Sequence, residues 1–359
     1  MSLSSPLAVS MGEPAGIGTE ILAMAYRHFA DMPHGKVPTF FLVDDPFRVE
    51  RLVRGLGLDV PIATIASPSE ATEQFGHGLP ILPLPDLHLD ALRAVVPGSP
   101  TPSTAGAVTA SIDIAVTAAL NGEACGVVTL PIQKQALQDA GFEYPGHTEY
   151  LGHLTETTEL PHGMTRGPVM ILTAGPFRVA PVTVHLPLKD VSAALTLERI
   201  VSTGMVLAEA LVRDYGVDTP RIAVAGLNPH AGEQGHLGRE EIDVIVPAIK
   251  ALRDKGIDAM GPFPADTMFH EEARAQYHAA LTMYHDQGLV PIKTIAFHAA
   301  VNTTLGLPIV RSSPDHGTAL DVVGKKIARP DSLINAIYSA HRMAAARTVF
   351  DAVQAPVSS

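Results

Sequence analysis

The sequence contains one cysteine and no tryptophan in 359 residues. A single thiol can neither close a disulfide within the chain nor build a cysteine zinc site. Cys125 sits in the apolar run ACGVVTL, where a buried core thiol is expected rather than a nucleophile. Positive charge is scarce as well. The 25 Lys and Arg are outnumbered by 37 Asp and Glu, and the formal net charge of -12 argues against a nucleic-acid partner. A local basic pocket can still serve a small anionic substrate on such a protein. No run approaches the roughly 18 apolar residues of a membrane helix. The opening MSLSSPLAVSMG lacks the basic region and long apolar run of a signal peptide. These absences leave a cytoplasmic protein, with no membrane partner, as the expectation.

What is present is enough for a large core: 46% of residues are hydrophobic and 17% charged. The length suggests about two domains of ~150 residues. Strands are expected at 6–11, 38–43, 60–65, 79–84, 126–130, 168–174, 177–185, 221–227, 280–284 and 308–310. Helices are expected at 19–29, 46–55, 131–140, 197–215, 240–255 and 331–350. Two more are expected with caps: 105–120 after Ser103 or Thr104, and 266–277 with Asp266. Residues 144–151, YPGHTEYL, read as a loop, and the end, QAPVSS, should fray. Alternation of β and α along the chain predicts an α/β fold with mostly parallel sheets. A hairpin at Gly175-Pro176 interrupts it and marks a middle domain. The turn GEPAGIG after the first strand fits neither the dinucleotide fingerprint nor a P-loop. It is either a close approach to a ligand or a tight structural turn.

Three sets of residues carry chemistry. His185, His230 and His285 each close or follow an expected strand, and open α/β sheets bind ligands beyond the carboxyl ends of their strands. Three imidazoles with an open fourth position suit zinc, with cobalt or manganese as further choices. The plain alternative is that each histidine hydrogen-bonds a loop. Lys293, Asn302 and Arg311 lie beside apolar runs, where a basic group faces a ligand anion or pairs with an acid such as Asp286 or Asp315. The third set runs over residues 315–325, DHGTALDVVGK. It is similar to the HGSAPDIAGKG loop of isocitrate and isopropylmalate dehydrogenases. That likeness implies that His316, Gly317, Thr318 and Ala319 wrap the adenosine of a nucleotide. Asp321 would accept from the ribose hydroxyls and favour NAD over NADP.

Longer motifs sharpen the resemblance: MGEPAGIGTE, PGHTEYL, VTVHLPL, GLNPHAGEQGHLGREE, GPFPADTMF, MYHDQGL and VNTTLGLPIVRSSPDHGTA. From Ser10 to about Arg342 the chain resembles the 4-hydroxythreonine-4-phosphate dehydrogenase family of vitamin B6 biosynthesis. The resemblance implies two α/β/α domains with the active site in the cleft between them. A nucleotide-binding domain would take 1–130 and 281–359, and a middle domain 131–280. It implies a homodimer whose active site lies at the subunit interface. His185, His230 and His285 would bind one divalent metal (Zn, Mg, Co or Mn), with Asp266 as a further ligand or an orienting acid. His147 and Thr148 would contact substrate. Lys293, Asn302 and Arg311 would complete its site, phosphate contacts included. NAD, or NADP, would accept hydride from 4-phosphohydroxy-L-threonine. The resulting 2-amino-3-oxo-4-phosphooxybutanoate would lose carbon dioxide to give 3-amino-2-oxopropyl phosphate. The proton acceptor is left among His147, Lys293 and a metal-bound water.

Two positions depart from the family pattern. Leu130 stands where a glycine is usual, ahead of the retained Lys134, and His298 stands where an acid is usual. Both bear on substrate shape. Related chains act on phosphorylated threonate or erythronate, or on terephthalate cis-dihydrodiol, and these remain alternatives. A non-catalytic metal- and nucleotide-binding protein is another, although the metal histidines, Lys293, Arg311 and Asp321 are all present, which argues against it.

Overall fold

The computed structural model describes residues 5–32 and 37–354. Residues 1–4, 33–36 and 355–359, the last holding most of the tail expected to fray, lie outside the described residues. Twelve strands occur among the described residues: β1 (Leu7–Ser10), β2 (Phe40–Asp44), β3 (Ile62–Thr64), β4 (Leu79–Pro83), β5 (Gly126–Thr129), β6 (Val169–Ala174), β7 (Phe177–Thr183), β8 (Arg221–Ala225), β9 (Asp258–Phe263), β10 (Ala279–Tyr284), β11 (Val301–Leu305) and β12 (Arg311–Pro314). The chain forms two compact units, Met1–Thr158 with Pro308–Thr348, and Glu159–Leu307 with Val349–Ser359. The changeovers fall at 158 and 307, later than the expected 130 and 280. Packing accounts for the shift. Helix His147–Leu154 packs on helix Ala105–Leu120 of the first unit, while β10 and β11 pair with β7, β8 and β6 of the second.

In the first unit the strand order is β3-β4-β2-β1-β5-β12, and every pairing is parallel. Such strands are covered on both faces, so they read as unbroken apolar runs; LAVS of β1 and FFLVD of β2 are buried throughout. The closing helix Asp331–Gln354 is joined to the first helix through a cluster of aromatic rings. Phe29 lies 5.0 Å from Tyr338 and 5.8 Å from Phe40, and Phe40 lies 4.9 Å from Phe75. By length and composition Pro102–Leu120 could cross a membrane, contrary to the sequence expectation. Here it is a core helix, with Ala107, Val108, Ile112 and Ala115 buried and its contacts made to β1, β2 and β5. Its expected cap is absent: a short 3-10 turn precedes it, and the Thr104 hydroxyl donates to the Thr101 carbonyl instead.

In the second unit the order is β11-β6-β7-β10-β8-β9. β11-β6-β7 is antiparallel, and the β6–β7 pair is the expected hairpin. β7-β10-β8-β9 is parallel. Several local expectations fail here and in the first unit. Residues 144–151 are not a loop, because helix His147–Leu154 begins inside them. Residues 266–277 do not form one helix. Met268 turns into the core, the Tyr277 hydroxyl donates to its carbonyl at 2.7 Å, and only Glu271–Arg274 is helical. Helix His285–Ala296, with Pro291 carried inside it, was not anticipated. β9 was not anticipated, and the strand expected at 308–310 begins at Arg311.

The glycine turn after β1 is structural. A Cβ on Gly12 would lie 2.6 Å from the Pro131 carbonyl oxygen and 2.8 Å from the Leu130 Cβ, and Gly12 has φ +63. The turn is held by Arg48, which donates to the Pro14 carbonyl at 3.2 Å, to Thr19 at 2.8 Å and to Asp44 through its Nε at 3.0 Å. Arg48 and Asp44 are 3% and 0% exposed, so each charge depends on the other. Replacing Asp44 by alanine is expected to destabilise the protein by about 3–5 kcal/mol, because it leaves a buried guanidinium unpaired. Chemical denaturation measures this, and a loss under ~1 kcal/mol, the worth of an exposed pair, would contradict the assignment.

Candidate functional site

Parallel pairing puts the chain exits of β7, β10, β8 and β9 at one edge of the second unit's sheet. Tyr284 of β10 is in register with Thr183 of β7, so His285, one residue on, and His185, two residues on, leave the sheet close together. Their ring centroids are 6.1 Å apart, and both line a cavity of about 230 Å³ that also takes in Asp286. His285 opens its helix, and its Nδ1 lies 2.6 Å from the Asp286 carboxylate. An imidazole whose Nδ1–H donates to a carboxylate presents Nε2 to a ligand, the usual dress of a metal-binding histidine. His230 follows β8 at the same edge, and Asp266 follows β9; both are exposed. The donor chemistry at His185 and His285 fits a divalent metal. No three His, Cys, Asp or Glu side chains among the described residues are grouped closely enough to hold a metal ion.

The His230 turn is strained. His230, Ala231, Glu233 and Gln234 all have positive φ, between 42 and 56. Left-handed geometry costs a non-glycine residue about 1–2 kcal/mol, so surrounding contacts must enforce it. Lys293 lies on helix His285–Ala296 and is half-buried. Asn302 is half-buried on β11 opposite Leu172. His298 is exposed beyond the end of the helix.

The first unit holds a second cluster. Arg311 opens β12 beside β5, is 3% exposed, and donates to the Thr129 hydroxyl from Nη2 at 2.7 Å and from Nε at 3.2 Å. Burial pushes its pKa down to about 10, opposed by the Glu149 carboxylate. His147, at the start of its helix, has a buried Nε2 with no hydrogen-bond partner. Burial, followed by the charges of Arg311 and Lys134, holds its pKa well below the usual histidine range. Neutral histidine, arginine and lysine gathered this way present donors to an anion. Thr148 is half-buried next to His147.

After β12 the chain turns through 316–321. The His316 Nδ1 donates to the Gly317 carbonyl at 3.0 Å, which leaves Nε2 as an acceptor, buried and without a partner. Ala319 is left-handed at φ 47, Thr318 is buried, and Asp321 and Gly317 are exposed. The Thr318 carbonyl accepts from the Ile17 amide at 3.1 Å, and a Cβ on Gly16 would meet that carbonyl oxygen at 3.0 Å. Buried Glu20 accepts from the Gly324 amide at 3.1 Å. The first βα turn thus supports the loop from beneath. An unpartnered acceptor and an exposed carboxylate fit a nucleoside. Sequence reasoning missed Thr129 and Glu20 as support. Each lies in a motif already singled out, but nothing in a buried threonine or glutamate says which loop it will reach.

The sequence matches the protein family described as pyridoxal phosphate biosynthetic protein PdxA over residues 36–340. The chain belongs to this family. A 4-hydroxythreonine-4-phosphate dehydrogenase of Caulobacter vibrioides is 49% identical over 346 residues, 96% of this chain and 99% of the relative. The crystal structure of 4-hydroxythreonine-4-phosphate dehydrogenase from Klebsiella pneumoniae superimposes with a TM-score of 0.82 at 34% identity, over 96% of this chain and 99% of that one. A terephthalate 1,2-cis-dihydrodiol dehydrogenase from Burkholderia xenovorans gives 0.61 at 26% identity, over 94% and 98%.

The depressed His147 pKa predicts a pH dependence. The folded state prefers the neutral ring, so the stabilisation is complete above the unfolded pKa, about 6.5, and drains away as pH falls toward the folded value. Between pH 7 and 5 the parent protein should lose more stability than His147→Gln. In NMR the His147 ring should stay neutral through pH 6.5, and Arg311→Ala should raise its pKa. A ring that titrates near 6.5 would refute this.

Proposed function

We propose that the chain is a metal-dependent, NAD-linked dehydrogenase that oxidises 4-phosphohydroxy-L-threonine in pyridoxine 5'-phosphate biosynthesis. The observation that carries this reading is 49% identity, over 96% of the chain, to a relative bearing that activity's name. The secondary alcohol loses hydride and a proton, giving 2-amino-3-oxo-4-phosphooxybutanoate. That β-keto acid then loses carbon dioxide to yield 3-amino-2-oxopropyl phosphate. His185, His230 and His285 would hold a divalent metal (Zn, Mg, Co or Mn), a Lewis acid for an alcohol on its way to a ketone, with Asp266 as an orienting acid. Residues 316–321 would hold NAD, the hydride acceptor.

The chain's own residues bind, orient and move protons. Arg311, backed by Thr129, meets an anionic group of the substrate, and His147 and Thr148 add neutral donors. Arg311 cannot lose its proton at neutral pH even with its lowered pKa, so it remains a fixed cation. Lys293 and Asn302 hold the remaining polar groups and fix orientation. His147 is too weak a base, with its pKa pressed down, to accept the alcohol proton well. Among the chain's own side chains that leaves Lys293, which would accept the proton as its neutral amine. Asp321 accepts from the ribose hydroxyls and repels a 2′-phosphate, which favours NAD over NADP. We further assign the chain to a cytoplasmic homodimer with its active site at the subunit interface.

The cluster around Arg311 favours a phosphorylated acid over the dihydrodiol, which has no phosphate. Following NADH absorbance with added divalent metal, the purified protein should turn over phosphohydroxythreonine and leave the dihydrodiol untouched. Arg311→Ala should lower kcat/KM for the phosphorylated substrate by about 30-fold or more, the cost of losing a buried charged contact of ~2 kcal/mol. His285→Ala should lose both bound metal and turnover. Full activity of His285→Ala, or preference for the dihydrodiol, would overturn the proposal.

A further inference from the structure

We propose that Glu241 is a positioning residue for His230: its buried carboxylate clamps the exit of β8 and holds the left-handed turn in one conformation, which sets metal affinity. The inference rests on His230 being a metal ligand, as proposed above. Glu241 is 3% exposed. Its Oε1 accepts from the amides of Leu227 and Asn228, each at 2.7 Å, and its Oε2 accepts from the Asn228 side-chain amide at 3.0 Å. Hydrogen bonds to a carboxylate are about twice as strong as neutral ones. Three of them converge on the two residues just before Pro229 and His230.

The turn is also shaped around the carboxylate. A Cβ on Gly232 would lie 2.5 Å from Glu241 Oε2, and one on Gly226 would lie 3.1 Å from Oε1. Gly232 has φ +79, so glycine serves both the conformation and the contact. The turn's own bonds, Ala231 amide to Asn228 carbonyl and Leu237 amide to Gly232 carbonyl, are each 3.1 Å. They link the turn to itself and to residues that Glu241 already holds.

The same root is tied to the helix that His285 opens. Gln287, 8% exposed, accepts from the Met283 amide and donates to the Gly226 carbonyl, both at 2.7 Å. One buried amide thus fixes where β8 ends relative to β10, and one buried carboxylate fixes how the chain leaves β8. A ligand turn ordered in advance avoids the ordering cost at binding.

The test uses metal-free protein first. In Glu241→Gln the amide keeps the side-chain shape but must turn an NH2 toward existing donors. Hydrogen exchange of residues 227–237 should quicken at least tenfold, with exchange in β1 and β5 unchanged. Cobalt(II) should then bind the variant about 10–100-fold more weakly, the range seen when a support of a metal ligand is removed, and its visible absorption band should change. Should Glu241→Gln fail to fold, Asn228→Ala removes only the side-chain bonds and should give a smaller change in the same direction. Unchanged exchange, or faster exchange with unchanged cobalt affinity, overturns the proposal. His230→Ala tells which premise failed. If it too binds cobalt normally, His230 is no ligand. If it loses cobalt while Glu241→Gln does not, the clamp is wrong.

Discussion

A parallel pair of strands releases both chains at the same edge. In the second unit that constraint acts on β7, β10, β8 and β9 at once. It gathers His185, His285, His230 and Asp266, which lie up to 100 residues apart in sequence, onto one rim. The register then refines the placement: because Tyr284 pairs with Thr183, His285 and His185 become neighbours. Everything finer at this rim depends on what holds each exit. Asp286 orients the His285 ring, Gln287 ties β10's helix to β8, and Glu241 holds the turn behind β8.

The first unit works by buried charge. Arg48 with Asp44 and Arg311 with Thr129 both place a guanidinium where water cannot reach. Arg48 meets a full carboxylate and serves the glycine turn. Arg311 has the hydroxyl of Thr129 at Nε and Nη2, with Glu149 near enough to raise its pKa, and burial still lowers that pKa to about 10. A buried guanidinium beside the unpartnered Nε2 of a neutral His147 suits an anion. Leu130 is fully buried against Gly12 and Gly18 and packs the turn.

Much of the fold was legible because buried parallel strands are short, wholly apolar and bounded by glycine or proline. Misreadings came where one local signal had two meanings. No helix was expected where Pro291 stands, yet the helix from His285 carries it. Asp266 looks like a cap, yet Met268 gains more from the core than residues 266–277 would from a helix, and the helix shrinks to four residues. YPGHTEYL looks like a loop because of Pro145 and Gly146, but these two stand just before a helix and start it.

The sequence by itself determined which residue types stand at strand exits, the α/β class and the family, since motif order and apolar runs survive without coordinates. Only the tertiary structure decided which exits adjoin. It set the 6.1 Å between His185 and His285, the left-handed turn of His230, and the reach of Glu241 and Glu20 to loops distant in sequence. The physical reason is that strand order and register are settled by long-range pairing, which no local pattern encodes. A buried carboxylate, likewise, declares its partner only when the loop has closed around it.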